Sequence, residues 1–516
     1  MKNKFYIESI FLFLIGAITS LSLPPFNFFL INFFTFSLYF VFLVKKSKLY
    51  INGKLSFFYG WFFGFGYFVT NLYWISISLS FDSSFKFLIP ISIIIIPMFL
   101  GIFYGLISYF FLLLKPKSIV SSFLLFSLLF GIFEFLRGSI LSGFPWNLIA
   151  YSFSNQLEIL SITSIIGTYG FNLFCISLFT CPAIILLNKK KKSIGVFIFF
   201  FLVTVTFYNH GFNEKNKFLN SKKENLNYEI RAIGSNISLD RFYSNDDPVS
   251  VINELIEISE PTKSQKVIFV WPEGIIPNAS QNDLIEYRWL FDEKFSKNHV
   301  LLMGINNEKD VNGFTKYYNS LSIYDHKLNL INSYNKLQLV PFGEFLPLEN
   351  FFGSIGFKSI TNKYQSYTRG NKREIIRLEL KMFSVKFLPL ICYEVIYSGK
   401  LFDKPDFDLI INISEDGWFG QSIGPKQHFV HSIFRAIESG KYLIRSSNNG
   451  ITAIINPMGI IEQQLFLGET GYVQLNGVRK IQPTIFSKYG NKIFGLLILL
   501  YIFLIFSFNK TKDEQS

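Results

Sequence analysis

Cysteine and histidine are scarce in this chain, with three and five copies among 516 residues. Protein zinc sites use three or four ligands, and no third histidine lies near the pair His428 and His431, so we expect no metal site there. Cys175 and Cys181 lie in a long apolar run, where a thiol behaves as a small hydrophobic side chain. They are therefore not partners for Cys392, which is left as an unpaired thiol.

Apolar residues, by contrast, make up 50% of the chain, and 19% of it is aromatic. Crossing the hydrocarbon core of a bilayer takes roughly 20 mostly apolar residues. Eight runs approach that length and predict eight membrane spans, at residues 5–23, 26–44, 57–79, 87–114, 119–136, 157–187, 194–208 and 493–508. The chain is therefore predicted to be a polytopic α-helical membrane protein.

The domain organisation follows from where the apolar runs shorten. Between residues 211 and 490 they shrink to strand length, and Asp, Glu, Asn and Lys become frequent. We therefore predict a membrane domain with seven spans at 1–210, a water-exposed domain at 211–490, a last span at 491–509 and a tail at 510–516.

Lysines are concentrated on one side of the predicted spans, and the intervening turns are nearly free of them. The set comprises Lys2, Lys4, Lys45, Lys46, Lys48, Lys54, Lys115, Lys117, Lys189, Lys190, Lys191, Lys192, Lys510 and Lys512. Because short cytoplasmic loops carry excess Lys and Arg, both termini are predicted to be cytoplasmic and residues 211–490 extracytoplasmic. Offset by Asp513 and Glu514, these fourteen lysines supply twelve of the thirteen net positive charges. The basic charge thus reflects topology, and no nucleic-acid partner is expected.

Two alternatives stay open within the membrane domain. The first span has the form of a cleaved signal peptide, because Lys2 and Lys4 precede an apolar core, although its removal would leave an odd number of spans. Glu134 and Arg137 stand one helical turn apart at membrane depth. They are either an interfacial pair at a helix end or a contact for a lipid head group.

In the water-exposed domain, β-branched or aromatic runs stop at polar residues. Such runs at 228–233, 267–273, 388–394 and 408–414 predict strands, and apolar helices are predicted at 249–259 and 427–439. The domain is therefore predicted to be α/β with largely buried strands.

Glu273, Lys336 and Cys392 each stand at the end of such a run, and their chemistries complement one another. A thiol of ordinary pKa is only partly ionised at neutral pH, so a nucleophilic cysteine needs a base or a positive neighbour. Glu273 can act as the base, and Lys336 can favour thiolate and stabilise an oxyanion. The alternative for Cys392 alone is a small buried residue in a strand.

The surrounding motifs resemble the nitrilase superfamily. They are Trp271-Pro272-Glu273, Tyr334-Asn335-Lys336 with Pro341-Phe342-Gly343-Glu344, and Cys392-Tyr393-Glu394. Asp416-Gly417-Trp418-Phe419-Gly420, Gln427-His428-Phe429 and Arg445-Ser446-Ser447-Asn448-Asn449-Gly450 further resemble its apolipoprotein N-acyltransferase branch. The resemblance implies an α-β-β-α sandwich and transfer of an acyl chain from a phospholipid to the N-terminal amine of a diacylglyceryl-modified lipoprotein.

The resemblance also implies roles for particular residues. Cys392 would carry the acyl group as a thioester, Glu273 would act as the base, and Lys336 would stabilise the oxyanion together with a backbone N–H near Tyr393. Glu344 and Glu394 would orient Lys336 and the cysteine loop. No cofactor is implied.

Apolar residues beside glycines predict contacts with lipid. Phe345, Trp418 and Phe419 are candidates, as are residues 351–357, because exposed apolar loops usually mark an interface. The alternative is that these aromatics pack in the core. The family usually has a tryptophan after an Asn-Ile pair, whereas here Asn236-Ile237 leads to Phe242-Tyr243. Tyr243 is assigned that contact.

Two other function classes remain to be compared with acyl transfer. A membrane-tethered amidase or nitrile hydrolase would use the same three residues with water as acceptor, although a small soluble substrate needs no multi-span anchor. A non-catalytic receptor or scaffold would not need an intact Glu, Lys and Cys.

Overall fold

The computed structural model describes residues 2–49, 52–242, 247–276, 278–311, 313–347 and 366–510. The chain forms two compact units, and neither is continuous in sequence. Residues 1–76, 84–217 and 484–516 form one, which we call the membrane unit. Residues 77–83 and 218–483 form the other, which we call the sheet unit.

The membrane unit is helical, because a segment in hydrocarbon must satisfy its backbone hydrogen bonds internally. Its helices up to residue 220 are α1 (Lys2–Thr19), α2 (Ile31–Lys48), α3 (Gly53–Leu72), α4 (Ile89–Leu113), α5 (Ile119–Arg137), α6 (Leu157–Leu160), α7 (Thr163–Leu187) and α8 (Lys191–Asn220). Counting the C-terminal helix, seven helices of the described residues are long and apolar enough to cross a membrane. The predicted polytopic helical domain is confirmed.

Of the eight predicted spans, the one at 26–44 is not among those seven helices. It corresponds to α2, an 18-residue helix whose last turn carries Lys45, Lys46 and Lys48. These charges leave an apolar part of about 14 residues, or about 21 Å of helix, which is short for a hydrocarbon core.

Glycines let α1, α3 and α4 pack closely. A Cβ on Gly16 would lie 2.0 Å from the Phe63 carbonyl oxygen, and a Cβ on Gly66 would lie 2.0 Å from that of Phe13. The backbones of α1 and α3 are therefore in contact at these positions, as small residues allow in membrane helices.

Glu134 and Arg137 lie inside the membrane unit, where their side chains are 1% and 0% exposed. Tyr104 donates its hydroxyl to Glu134 Oε1 at 2.6 Å, and Arg137 Nε donates to Glu134 Oε2 at 2.7 Å. Arg137 Nη1 also donates to the Phe144 carbonyl. The pair therefore lies at the C-terminal end of α5, buried, and Glu134 links this helix end to Tyr104 on α4.

Two sheets of six strands form the sheet unit in the described part of the chain. The strands are β1 (Glu224–Gly234), β2 (Val267–Val270), β3 (His299–Val311), β4 (Phe314–Asp325), β5 (Leu330–Asn335), β6 (Ile376–Leu380), β7 (Phe383–Ile391), β8 (Leu409–Glu415), β9 (Tyr442–Asn448), β10 (Thr452–Ile455), β11 (Ile461–Leu465) and β12 (Gly471–Val478). The orders are β12-β1-β2-β3-β4-β5 and β11-β10-β9-β8-β7-β6. Each sheet has three parallel central strands, β1 to β3 and β7 to β9, and antiparallel outer ones.

Helices cover the outer faces of the two sheets. Helices α9 (Pro248–Ser259) and α10 (Arg288–Lys294) share a core with β1, β2 and β3. Helix α11 (Gly424–Ser439) packs on β9 and β10, and the C-terminal α12 (Ile485–Tyr489) and α13 (Lys492–Lys510) return to the membrane unit.

The inner faces of the two sheets meet. Ser446 on β9 donates its hydroxyl to the carbonyls of Ile233 at 2.7 Å and Val270 at 2.9 Å. The four predicted strands are β1, β2, β7 and β8, and the two predicted helices are α9 and α11. The α-β-β-α sandwich is confirmed.

Candidate active site

The three residues predicted to carry the chemistry lie at strand ends of the sheet unit. Glu273 lies just beyond β2, Lys336 follows β5 directly, and Cys392 follows β7 directly. Their exposed fractions are 6%, 1% and 8%. Cys392 is coupled electrostatically to both Glu273 and Lys336, so the two sheets bring these residues into one site.

Lys336 is shared between two carboxylates. Its Nζ donates to Glu273 Oε1 at 3.1 Å and to Glu344 Oε1 at 2.9 Å. Asn319 on β4 donates its Nδ2 to the same two oxygens, at 2.7 and 2.8 Å. Burial lowers the pKa of Lys336, but Glu273 and Glu344 outweigh it and hold that pKa well above its ordinary value. Lys336 is therefore a buried cation at neutral pH.

Glu273 is fixed from two further directions. Its Oε2 accepts a hydrogen bond from the backbone N–H of Glu415 at 2.9 Å. The backbone of Gly304 on β3 passes so close that an added Cβ would lie 2.4 Å from Glu273 Cα. A residue larger than glycine at position 304 would therefore displace Glu273.

Cys392 stands at a sharp turn. Its φ of +50° lies in the left-handed region, which costs a non-glycine residue about 1–2 kcal/mol. A single 3₁₀ turn, Cys392–Ile396, begins there, and Glu394 closes it by accepting the Ile391 N–H at 2.9 Å. The strand end and the turn together place the thiol next to Glu273 and Lys336.

The electrostatics of the site keep Cys392 protonated at rest. Burial raises the pKa of the thiol, Glu273 raises it further, and Lys336 lowers it, with the result well above the ordinary value. Lys336 does favour thiolate, as the sequence suggested, but burial and the negative carboxylate outweigh it. A nucleophilic role for this thiol would therefore require a base to take its proton.

Glu394 joins the cysteine turn to the segment after Lys336. It is fully buried. Its Oε1 accepts hydrogen bonds from the Tyr334 hydroxyl at 2.7 Å, Leu337 N at 2.9 Å, Gln338 N at 3.1 Å and Arg373 Nη2 at 2.5 Å. Tyr393, beside it, packs edge-on against Tyr397 with ring centres 5.6 Å apart. Glu344 contacts Lys336 and Glu394 contacts the cysteine loop, an arrangement suited to the orienting roles predicted for them.

A second buried network lies behind Cys392. Asp416 accepts from Arg445 Nη2 at 2.7 Å and from the Ser414 hydroxyl at 2.6 Å. His428 Nδ1 lies 2.9 Å from Asp416 Oδ1, and an interaction with the Ser414 side chain lowers the pKa of the Cys392 thiol. Burial raises the pKa of Asp416, but Arg445 and His428 outweigh it and leave that pKa well below its ordinary value. This carboxylate is ionised and fully enclosed.

Sequence reasoning missed Asn319, Arg373 and the link between Asp416 and Arg445. Asn319 lies in the middle of a strand, whereas the predicted site residues stand at the ends of apolar runs. Arg373 follows a segment with no recognisable strand or helix pattern. Asp416 and Arg445 were seen within motifs, but no feature of the sequence pairs them. A buried strand position occupied by asparagine is the one signal that could have drawn attention to Asn319.

Two of the predicted lipid contacts belong to an aromatic group. Trp418 stacks on Phe242 with ring centres 5.5 Å apart and meets the edge of Phe81 at 5.8 Å. Phe419 meets His428 edge-on at 5.4 Å. Trp418 and Phe419 are both half-buried, so they combine packing with a partly open face.

The remaining predicted lipid contacts are only partly described. Phe345 is half-buried. Tyr243 and residues 351–357 lie outside the described residues. Phe242, which precedes Tyr243, stacks on Trp418, and its ring would lie 3.8 Å from a Cβ added at Gly274, the residue after Glu273.

Family models cover both units. One described as the apolipoprotein N-acyltransferase N-terminal domain matches residues 15–181, and one described as carbon-nitrogen hydrolase matches residues 249–478. The second match contains Glu273, Lys336 and Cys392.

Curated relatives match over nearly the full length. The apolipoprotein N-acyltransferase of Rhodopseudomonas palustris is 31% identical, with 95% of this chain and 93% of that protein covered. That of Rickettsia prowazekii is also 31% identical, with 99% and 100% covered. Among solved structures, an amidase from Nesterenkonia sp. AN1 is 12% identical over 52% of this chain and 94% of its own, with a TM-score of 0.35.

Proposed function

The chain belongs to the apolipoprotein N-acyltransferase family, and from that premise we propose the reaction that its site performs. An acyl chain passes from a membrane phospholipid to the N-terminal amine of a diacylglyceryl-modified apolipoprotein, and Cys392 carries it as a thioester. The observation that supports these roles is the contact of Lys336 with both Glu273 and Glu344 beside a buried thiol.

In the first half-reaction, Sγ of Cys392 attacks the carbonyl carbon of the phospholipid ester while Glu273 takes the thiol proton. The carbonyl oxygen gains the electron pair, and Lys336 Nζ and a backbone N–H near Tyr393 stabilise it. Collapse of this intermediate breaks the ester C–O bond. The lysophospholipid oxygen leaves with the proton that Glu273 held.

In the second half-reaction, the lipoprotein amine attacks the thioester carbonyl carbon and gives a proton to Glu273. Lys336 again stabilises the oxyanion. The C–S bond breaks, an amide forms, and the proton on Glu273 returns to the sulfur of Cys392. The site is thereby restored, which is the cycle of a ping-pong transferase.

The two substrates explain the membrane unit. Both carry acyl chains that reside in the bilayer, so the enzyme needs an anchor and an apolar approach to its thiol. Phe345, Trp418, Phe419 and Tyr243 are proposed as acyl contacts. Hydrolysis of a small amide by the same triad is not favoured, because the full-length relatives are N-acyltransferases.

For the membrane topology, we propose the inner membrane, with both termini cytoplasmic and the sheet unit periplasmic. The lysine distribution supports this orientation. Cysteines introduced by Lys54→Cys and Lys263→Cys should react with an impermeant maleimide from opposite sides of sealed vesicles. Labelling of both from one side would contradict it.

The decisive experiment is intact-protein mass measurement after incubation with phospholipid. We expect an acyl-sized adduct that hydroxylamine removes, absent from Cys392→Ala and retained in Cys181→Ala, a matched control at a buried thiol in α7. A diacylglyceryl peptide with a free amino terminus should discharge the adduct as an amide. Rapid discharge by water alone would contradict the transferase assignment.

A further inference from the structure

Glu415, the last residue of β8, supplies a hydrogen bond to the proposed base. Its backbone N–H donates to Glu273 Oε2 at 2.9 Å, whereas Lys336 and Asn319 donate to the other oxygen, Oε1. The two oxygens are thus held from different sides, one by side chains and the other by a backbone group. The direction of the Glu273 carboxylate therefore depends on where the backbone of Glu415 lies.

The side chain of Glu415 is enclosed and meets hydrogen-bond donors. Its Oε2 accepts from Arg241 Nη2 and, at 2.7 Å, from Asn448 Nδ2, and its Oε1 accepts the Gly417 N–H at 2.9 Å. The Arg241 and Glu415 side chains are 1% and 2% exposed, so this ion pair is buried. Burial raises the pKa of Glu415, and Arg241 is the strongest effect that opposes this rise. The charge of Glu415 therefore depends on Arg241.

Arg241 connects Glu415 to other parts of the backbone. Its Nη2, which contacts Glu415, also lies 3.5 Å from the carbonyl oxygen of Gly274, the residue after Glu273. Its Nη1 donates to two carbonyls of the preceding chain, those of Ile237 at 3.2 Å and Ser238 at 2.9 Å. One guanidinium therefore reaches both sides of the hydrogen bond between Glu273 and Glu415.

We propose that Arg241 is a positioning residue for acyl transfer: it fixes the backbone beside Glu273 and the residue that donates to it, and so sets the direction of the Glu273 carboxylate. This role rests on the proposed function, in which Glu273 takes the thiol proton. A planar guanidinium suits it because the donors point in fixed directions. Arg241 acts through the base and not on the lipid, so its loss should slow acylation without weakening donor binding. Misplacement of a reacting group by about 1 Å can cost about 100-fold in rate.

Loss of Arg241 should also change the pH dependence of acylation. A hydrogen bond to a carboxylate favours its charged form, and Glu273 can act as a base only in that form. Once the Glu415 N–H is displaced from Glu273, the acid limb of the rate profile should move to higher pH by about 1 pH unit. An ion pair that served stability alone would leave this limb in place.

The test compares Arg241→Met with the double variant Arg241→Met/Glu415→Gln in the full-length protein. The single variant leaves a buried carboxylate without its cation and should melt at a lower temperature, whereas the double variant removes that charge and should regain most of the loss. Neither variant joins residue 415 to the backbone beside Glu273. We therefore expect the rate of adduct formation at saturating phospholipid to fall about 10- to 100-fold in both, with an unchanged donor concentration for half-maximal rate.

Arg231→Met serves as the matched control, because Arg231 is 3% exposed and donates to the carbonyls of Ser259 at 2.7 Å and Glu260 at 2.9 Å. It should lower the melting temperature but keep the saturated rate within about 2-fold of wild type and the pH profile unchanged. A double variant whose rate recovers together with its melting temperature, or an acid limb that does not move, would overturn the role of Arg241. A wild-type protein that forms no adduct would overturn the proposed function, and this role with it.

Discussion

Glu394→Gln is the substitution that most directly tests how the site is held together. The Glu394 and Arg373 side chains are 0% and 4% exposed, and their contact measures 2.5 Å. Gln keeps the size of the side chain but removes the charge. Its NH₂ group must take the place of one carboxylate oxygen, so a donor group will face either the Ile391 N–H or the donors around the other oxygen. Breaking a buried ion pair on one side costs about 3–5 kcal/mol. With about 2–4 °C per kcal/mol for a unit of this size, the melting temperature should fall by about 6–20 °C.

Thermal melts of the detergent-solubilised protein, followed by circular dichroism in the β-sheet band, measure this change. Glu374→Gln is the matched control, because Glu374 is 75% exposed and lies 3.9 Å from Lys372, so we expect a shift below about 1 °C. A Glu394→Gln protein that melts within 1 °C of wild type would refute the assignment of Glu394 as the partner of a buried Arg373.

Three further changes test other parts of the site. Gly304→Ala should displace Glu273, because the new Cβ would lie 2.4 Å from Glu273 Cα, and should lower the rate of adduct formation at least about 100-fold. The control is Gly195→Ala, where an added Cβ meets nothing within 4 Å, and it should leave that rate unchanged. Glu273→Gln removes a charge that raises the pKa of Cys392, so the pH profile of iodoacetamide alkylation should move to lower pH; an unmoved profile would contradict their coupling. The pKa of Asp416 in the folded protein lies below its ordinary value of 3.8, so this carboxylate stabilises the fold fully above pH 3.8 and loses that effect as the pH falls towards its folded pKa. Asp416→Asn should therefore lose stability less steeply in acid than wild type does, and equally steep acid unfolding of the two proteins would contradict this.

The fold could be predicted from the sequence because long apolar runs and short β-branched runs have few structural solutions. Helix α2 shows that the bounds of a span are harder to predict than its presence. Its apolar run was long enough when residues 26–30 were included, but the helix begins at Ile31 and ends in three lysines. Where a helix begins depends on the packing of the preceding loop, which hydropathy does not record.

For the candidate site, the sequence indicated residue types but not the connections between them. Glu273, Lys336 and Cys392 stand at the ends of recognisable runs, and parallel strands bring such ends together. Asn319 and Arg373 became visible only when the strands and loops were assembled around two carboxylates. The positive φ of Cys392 likewise arises from its turn and has no signature in the residue itself.

The seven residues 77–83 have a consequence for any attempt to isolate the sheet unit. Within this unit, the Phe81 ring meets Trp418, and an added Cβ on Gly420 would lie 2.7 Å from the Ile77 side chain. An expression fragment covering 218–483 would omit both partners and leave Trp418 with one uncovered face. Joining Phe81 to Trp418 in the intact chain closes a loop of several hundred residues, for an entropic cost that rises only slowly with length. A usable fragment would therefore have to graft residues 77–83 onto the excised piece by a linker, or supply them as a separate peptide.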